Sequence, residues 1–405
     1  DAEKRAEELL KKMTLEEKIE YIGGTKDMFV KGIERLGIPE IKMSDGPMGC
    51  RCWGEATCYP AGIALAASWN PEMASKLGKA LAKDCRARGV HILLAPGVNI
   101  YRSPKCGRNF EYLGEDPYLA STMVVPLIQG VQSQGVFATV KHYICNNQEW
   151  DRNNISSEVD ERTLREIYLP AFKAAIVDGD SKCIMNSYNL LNGVHCSQSE
   201  YLLTDILKKE WGFDGFVMSD WCSTYDGVAA ANAGLDLEMP TGAFMNQETL
   251  LPAVKDGRVK ESVIDDKIRR MLRNFIAAGF FDNPQELTDI PKDDPENVKI
   301  ALDGAREGIV LLKNENNLLP LDSSKVKSIA VIGPNADPAV YCAGGSAFTT
   351  VFHSTSVLDG IKKIAGDSFE VKYSADDASV AKQCDAAIVC VGFKLETETE
   401  GADRK

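Results

Sequence analysis

The sequence predicts an α/β protein, a (β/α)8 TIM-like barrel followed by a second α/β domain, on three observations. Apolar runs of strand length recur at 38–43, 90–95, 136–140, 182–185, 216–218 and 235–239. Helical patterns lie between most of them, at 71–88, 116–134, 157–178 and 199–211. Strand, helix, strand at this spacing means parallel pairing through crossover helices, and so many units favour a closed barrel over an open sheet. The runs also end in polar residues: Asp45, then Asn99 and Arg102, Lys141-His142, Asn186 and Tyr188, and Asp220. A series of such endings lines one face of a barrel, the face where α/β barrels carry their chemistry.

Taken in order, residues 1–22 read as two short amphipathic helices, with Thr14-x-x-Glu17 a capping box for the second. Ser197-x-x-Glu200 has the same spacing before the run Tyr201 to Trp211, and Gly212 closes that helix. The run Phe216 to Met218 then stops at Ser219-Asp220-Trp221. Residues 1–281 thus form the barrel. Residues 282–297, rich in Pro, Asp and Asn, read as a surface linker. Residues 298–405 begin the second domain: a helix over 298–312, strands at 328–333, 370–373 and 386–392, and a helix over 376–383 between the last two. Three strands are too few to close a two-faced sheet. Polypeptide beyond Lys405, or another chain, is expected to complete it.

Composition narrows the function. A length of 405 residues suggests two domains, and 44% hydrophobic with 26% charged residues is a globular balance. A net charge of −13 disfavours nucleic acid as a partner. No apolar run reaches the roughly 20 residues that span a bilayer, so no membrane partner is expected, and no secretory signal opens the chain. The twelve cysteines are scattered, several in core segments (Cys145, Cys183, Cys222, Cys390), as reduced thiols of a cytoplasmic protein would be; secretion is the alternative. The cluster Cys50, Cys52, Cys58 is the one place for a disulfide, and it lacks the second ligand pair of a zinc site. None of the four histidines has metal-ligand spacing. There is no Gly-x-Ser-x-Gly elbow, and Gly344-Gly345-Ser346 lacks the lysine of a phosphate loop. Neither a metal nor another cofactor is expected. A homo-oligomer is possible.

Several residues could carry chemistry. Asp220 stands at a strand mouth, although it could equally cap the next helix. Asp45 lies in Ser44-Asp-Gly-Pro47, which also suits a turn. Arg108 sits in the long polar loop 107–117, which also suits a surface ion-pair network. Lys141-His142 follow a strand directly, and Arg152 lies in a loop of amides that suits the hydroxyls of a sugar or simple solvation. Glu396, Glu398 and Glu400 alternate near the end of the chain, as a solvated acidic loop would. Folded over the barrel mouth, one of them becomes the partner of Asp220. Cleaving an acetal needs such a pair, one carboxylate to attack the anomeric carbon and one carboxylic acid to protonate the leaving oxygen.

Together, Lys12-Met-Thr-Leu-Glu-Glu-Lys-Ile19, Ser44-Asp-Gly-Pro47, Gly107-Arg-Asn-Phe-Glu-Tyr-Leu-Gly-Glu-Asp-Pro117, Lys141-His142 with Asn146-Asn-Gln148, Val159-Asp-Glu-Arg-Thr-Leu-Arg-Glu166 and Val217-Met-Ser-Asp-Trp221 resemble the β-glucosidases of glycoside hydrolase family 3. The resemblance covers essentially the whole chain. It implies a barrel followed by an αβα sandwich, often with a fibronectin-like domain beyond. It implies that Asp220 is the nucleophile of a retaining double displacement. Asp45, Arg108, Lys141, His142, Arg152, Met185 and Tyr188 would line the −1 sugar subsite, with Trp221 beside the anomeric carbon and Ser346 closing over it. The acid/base is placed on Glu400, in a segment resembling Glu-x-Glu-Gly-x-Asp-Arg, with Glu398 as the alternative. On this reading Arg108, Lys141 and Arg152 should lower the pKa of Asp220, and a water-poor site should raise that of Glu400. The implied activity is an exo-acting β-glucosidase on short β-glucans or aryl β-glucosides. A β-xylosidase or dual-specificity enzyme is the alternative. Asp45 supports a hexose, since the xylosidase branch tends to carry Glu there; Lys-His-Tyr-Ile-Cys departs from the Lys-His-Phe-Pro-Gly of the N-acetylglucosaminidase branch. The end at Lys405 departs from the family pattern and leaves the sandwich incomplete.

Overall fold

The structure, a computed structural model, describes residues 1–393 and 395–405. The chain opens with helices Ala2–Leu10 and Leu15–Tyr21, and the capping box forms: Thr14 Oγ1 accepts from the Glu17 N–H, and the Glu17 carboxylate accepts from the Thr14 N–H. A seven-stranded sheet follows, its strands neighbours in chain order: Gly24–Thr25, Phe29–Val30, Ile41–Asp45, Ile92–Leu94, Phe137–Tyr143, Cys183–Asn186 and Phe216–Met218. From Ile41–Asp45 onward every pairing is parallel, with helices such as Pro71–Arg86 and Pro117–Gln132 crossing over.

Uniformly parallel pairing fails at the start. The first three strands pair antiparallel: Lys26 and Asp27, at φ 50° and 65°, reverse the chain between the first two, and residues 31–40 reverse it again before the third, both connections too short for a crossover. The expected strand over 235–239 is reduced to single bridges, Leu237 to Met218 and Glu238 to Gly23, which link the last strand back to the residue before the first. Here the Asp236 carboxylate accepts from the Val217 N–H at 2.8 Å, taking a ladder donor that a longer pairing would use. Two strands extend further into polar sequence than their apolar runs indicate. Asp45 is therefore a strand residue and not a turn, and Lys141 and His142 lie within Phe137–Tyr143.

The helix expected over 157–178 starts at Glu161, capped by Asp160, because Ser156–Ser157 pairs with Leu190–Leu191. It widens to π-type bonding over Leu164–Tyr168, ahead of Pro170, which has no N–H to donate. The second capping box does not form. Ser197 Oγ donates to the Ser223 carbonyl at 2.7 Å, and Ser199 instead accepts from the Leu202 N–H at 3.3 Å. Tyr201–Glu210 is itself π-type, and Gly212, at φ 68°, lets the chain turn away.

One apolar core runs from Ala6 to Phe280. The next helix is Pro295–Gly308, not 298–312: Asp294 caps it and Pro295 opens it, while Ile309 to Leu312 leave it and are exposed. The expected linker is anchored at its end, where buried Asn297 donates to Asp84 at 3.0 Å. Beyond lies a parallel three-stranded sheet, Ser328–Ile332 between Glu370–Ser374 and Ala386–Val389, with a small apolar cluster around Ile329, Val331, Ala336 and Leu358. The helix expected over 376–383 is a 3-10 turn, Ala378–Gln383, and helix Val357–Ala365 was not foreseen. All twelve cysteines are free thiols, so the Cys50–Cys58 cluster holds no disulfide. Cys145 and Cys183 are buried as expected; Cys222 is exposed, just past the strand end, and Cys390 is half-buried. Among the described residues no helix is long and apolar enough to cross a membrane.

Candidate active site

The polar strand ends converge on a cavity of about 350 Å³. Asp45, Lys141, His142 and Met185 reach it from strands, and Asp220 from two residues past one; Arg108, Tyr188 and Trp221 come from loops, and Ser346 and Glu400 from the second half of the chain. The segment at 345–346 fits closely: Gly345 has φ 70°, and a Cβ there would lie 2.4 Å from that of Glu400.

Asp220 is free for chemistry because Asp226 caps the next helix, Gly227–Ala233. Its Oδ1 accepts from the Trp221 N–H at 2.8 Å, while buried Oδ2 has no hydrogen-bond partner and lies 3.6 Å from His142 Nε2. Burial and the neighbouring Glu400 carboxylate push the Asp220 carboxyl up to about 6, against the pull of Arg108, Arg152 and Lys141. The expected depression is therefore reversed, because the cations are outweighed by lost hydration and by a second negative charge.

His142 stays neutral, its pKa driven far down by burial and by Arg108, Lys141 and Arg152. Arg108 Nη2 lies 3.0 Å from His142 Nε2, and a guanidinium can only donate. Nε2 is then the acceptor, and Nδ1 carries the proton facing the Tyr112 hydroxyl at 3.3 Å. Arg108 is wholly buried. It also donates to Glu111 at 2.7 Å and to Ser346 Oγ at 3.2 Å, so its loop is no surface network. Asp45 accepts from Arg51 at 2.7 Å and lies 4.0 Å from Lys141 Nζ.

Glu400 is gripped. Its Oε1 is 2.8 Å from Arg152 and 3.5 Å from Arg108, and its Oε2 accepts from the Ser346 N–H at 3.1 Å. Burial favours the acid form, but Arg108 and Arg152 overcome it and hold the carboxyl well below the usual range. The expected elevation is overturned, since the water-poor site also holds two guanidinium groups. Arg152 does not line the cavity wall. It stands behind it, 3.7 Å over the Tyr188 ring and 2.7 Å from Glu149. Glu398 turns away from the cavity and pairs with Arg404 at 2.6 Å, while its carbonyl accepts from the Gly344 N–H. Asp403 fastens the same loop: its carboxylate accepts from the N–H groups of Gly107, Glu149 and Trp150 at 2.9–3.2 Å. Gly107 admits this approach, for a Cβ there would lie 1.9 Å from the Ala402 carbonyl.

Sequence reasoning did not single out Arg51, Asp27, Glu149 or Asp403. Asp27 lines the cavity and accepts from Trp221 Nε1 at 3.0 Å. It sits in a hairpin with no strand-end signature, and Arg51 and Glu149 resemble ordinary loop charges. For Asp403, the run of acidic residues around it was the available signal. Among the described residues no group of three or more His, Cys, Asp or Glu side chains could hold a metal ion. What remains is a pair of acidic groups of opposite protonation preference in a cavity edged with fixed hydroxyl-binding charges.

Comparison with known proteins finds relatives along the whole chain. The model of the glycosyl hydrolase family 3 N-terminal domain matches residues 15–274, and that of the C-terminal domain residues 309–405. The chain is 41% identical to thermostable beta-glucosidase B of Acetivibrio thermocellus over 98% of its own length and 55% of that protein. It is 39% identical to an exo-alpha-(1->6)-L-arabinopyranosidase of Bifidobacterium longum, over 98% and 56%. The structure of beta-glucosidase 3B from Thermotoga neapolitana in complex with glucose superimposes with a TM-score of 0.89 at 33% identity, covering 99% of this chain and 64% of that one. The chain spans about half the length of the curated relatives it matches.

Proposed function

The chain belongs to glycosyl hydrolase family 3, and from that premise we propose that it is a retaining, exo-acting β-glucosidase that removes terminal non-reducing β-D-glucosyl residues from short β-glucans or aryl β-glucosides. The observation that carries this is the sharing of one cavity by Asp220 and Glu400, one on each half of the chain, with Arg108 beside Glu400. The seven strands, with the bridged segment at 237–238, make a TIM-like barrel, and the three-stranded sheet is part of an αβα sandwich. Further polypeptide of that sandwich covers the apolar side chains now exposed on it, such as Leu312 and Ile364.

In this reading Asp220 Oδ2, which has no protein partner, attacks the anomeric carbon. Glu400 gives its proton to the departing oxygen and then takes one from the water that releases the glycosyl ester; two inversions leave the configuration retained. The hydroxyls far from the reacting carbon bond Asp45 and Lys141, while Arg108 and His142 stand beside Glu400 and Asp220 and meet the hydroxyls nearer to it. Asp45, already oriented by Arg51, is a charge-assisted acceptor suited to a hexose. Arg152 holds Glu400 in place. Without substrate the proton favours Asp220, whereas reaction needs it on Glu400. Sugar hydroxyls that engage Arg108 weaken its hold on Glu400 and supply the shift. The consequence is a pH limit: kcat/KM falls as pH rises above about 6, where the free enzyme loses the one proton that Asp220 and Glu400 share.

A 2-deoxy-2-fluoro-β-glucoside tests the assignment. It should inactivate the protein with burst release of one aglycone and label the peptide that contains Asp220. A label elsewhere, or a product sugar that emerges with inverted configuration, sinks the proposal. Turnover should be fastest on the p-nitrophenyl β-glucoside, slower on the β-xyloside and on the α-L-arabinopyranoside. A preference for either pentoside overturns the reading of Asp45.

A further inference from the structure

A second cavity of about 350 Å³ opens beside the loop that carries Ser346, and Cys342 lies in its wall with Tyr341, Phe348 and Leu395. Across from Cys342 stands Cys58, from the loop that follows Asp45, its Sγ against the carbonyl of Tyr341, the residue before Cys342. Both are partly exposed. The loops already meet: the Ala56 N–H donates to the Thr350 carbonyl at 2.9 Å, Cys58 Sγ lies 3.3 Å from the Tyr341 carbonyl, and Met48, Phe110, Ala343 and Ala347 form an apolar cluster that both cysteines touch.

We propose that Cys342 and Cys58 are a modification site for small disulfides of the glutathione or cystine class, which they reduce while forming a disulfide that clamps the Ser346 loop to the barrel side. Cys342 is the attacking thiol. The neighbouring Cys58 thiol and the Thr349 N–H, which donates to Cys342 Sγ at 3.2 Å, draw the Cys342 pKa down to about 7, and the cavity gives a small disulfide access. The Cys342 thiolate attacks one sulfur of the incoming disulfide, the sulfur–sulfur bond breaks, and one thiolate leaves. Cys58 is held in its thiol form by the charge beside it, and the mixed disulfide removes that charge. Cys58 then attacks Cys342 Sγ, its proton and the second thiolate leaving together. The balance is two protein thiols and one small disulfide in, one protein disulfide and two small thiols out. Cys50 and Cys85 are also in contact, but both are fully buried and out of reach of the reagent.

The probe is oxidised glutathione, applied to the purified protein and read by peptide mass mapping after the remaining thiols are alkylated. The wild type should yield a linked Cys58–Cys342 peptide, two hydrogens lighter than its parts and separated by reductant. Cys58→Ser should stop at one glutathione on Cys342, and Cys342→Ser should leave Cys58 at least tenfold slower to react. In the oxidised wild type, amide exchange across 343–349 should slow, and reductant should restore it. Absence of the linked peptide, equal reactivity of the two single variants, or unchanged exchange across that loop overturns the proposal.

Discussion

Asp220 and Glu400 face the same cavity from opposite kinds of support. Asp220 follows a strand whose three residues, Phe216 to Met218, are wholly buried in one large apolar core. Glu400 rides on a loop held almost entirely by polar contacts: Asp403 to three backbone N–H groups, Glu398 to Arg404, and Glu400 itself to Arg152 and Ser346. The electrostatics differ in the same direction. The packed scaffold forces on Asp220 a carboxylate oxygen without a partner, whereas the loop gives Glu400 more positive charge than it needs. A nucleophile can be strained because a core holds it in place. An acid on a loop must be held by the charges it works among.

The largest effect should come from Asp220→Asn. Loss of the nucleophile should lower kcat by about 10⁴-fold or more. The same change should raise the thermal midpoint, since it removes a buried charge that faces Glu400. The sign follows from linkage. The folded-state pKa, about 6, lies above the ordinary unfolded value near 3.9, so Asp220 costs stability as pH rises through that window. The gain in midpoint should be larger at pH 7 than at pH 5, which calorimetry at the two values would read. A lower midpoint at pH 7 would mean that the core does not impose this strain.

Glu400→Ala should break the comparison from the other side. Here kcat should fall about 10²- to 10⁴-fold for an alkyl glucoside that needs protonation, and far less for a nitrophenyl glucoside in the glycosylation step. With the nitrophenyl glucoside, whose glycosyl-enzyme still forms, azide should restore turnover and yield the β-glycosyl azide. The thermal midpoint should fall, because Arg108 and Arg152 lose a shared counter-charge in a buried setting. Opposite shifts for the two carboxylates are the signature of the contrast.

The two regions were also unequally legible in sequence. Asp45, Lys141-His142 and Asp220 were readable because a buried parallel strand is a continuous apolar run, and its end is marked by the first polar residues. That pattern says where a residue sits and not what surrounds it. Its errors lie where side chains compete for backbone bonds: Asp236 trims the strand at 235–239, and Ser199 displaces Ser197 as the helix cap. The acid loop has no periodicity at all. Its motif located Glu400, but the net electrostatics depend on Arg152 and Arg108, far away in sequence, so both pKa directions were misjudged. The role of Asp403 was hidden for the same reason: its residue falls within the motif, but its partners are backbone N–H groups at 107, 149 and 150.

Asp403→Ala should therefore have the next effect in size. It frees three buried-edge donors and lets the acid loop drift, so kcat should fall about 10- to 100-fold, as misplacement of a catalytic group by an ångström does. The core beneath Asp220 is untouched, so labelling by the fluoroglucoside should persist at a reduced rate, and the thermal midpoint should move little.

Glu398→Gln should have the smallest effect, and it separates support from chemistry. Glu398 meets Arg404 through both carboxylate oxygens, and loss of that charge weakens one ion pair at the rim of the loop. Arg404 keeps its bond to the Pro104 carbonyl, its N–H bond to Lys105 and its stacking on Phe393. The Glu398 carbonyl still accepts from Gly344, since the side chain takes no part in that bond. The pair is mostly buried, its side chains 16% and 12% exposed, but glutamine keeps one of the two bonds; the loss of about one hydrogen bond, about 1 kcal/mol, should lower kcat by about fivefold, with the pH profile unmoved. An acid/base at this position would predict something different: a loss as deep as that of Glu400→Ala, the alkaline limb of the profile abolished, and rescue by azide. Kinetics of the two single variants and of the double variant on the same alkyl glucoside decide the matter. The double variant should match Glu400→Ala to within that same small factor, because a loop with no acid left to position loses little more when its anchor is loosened.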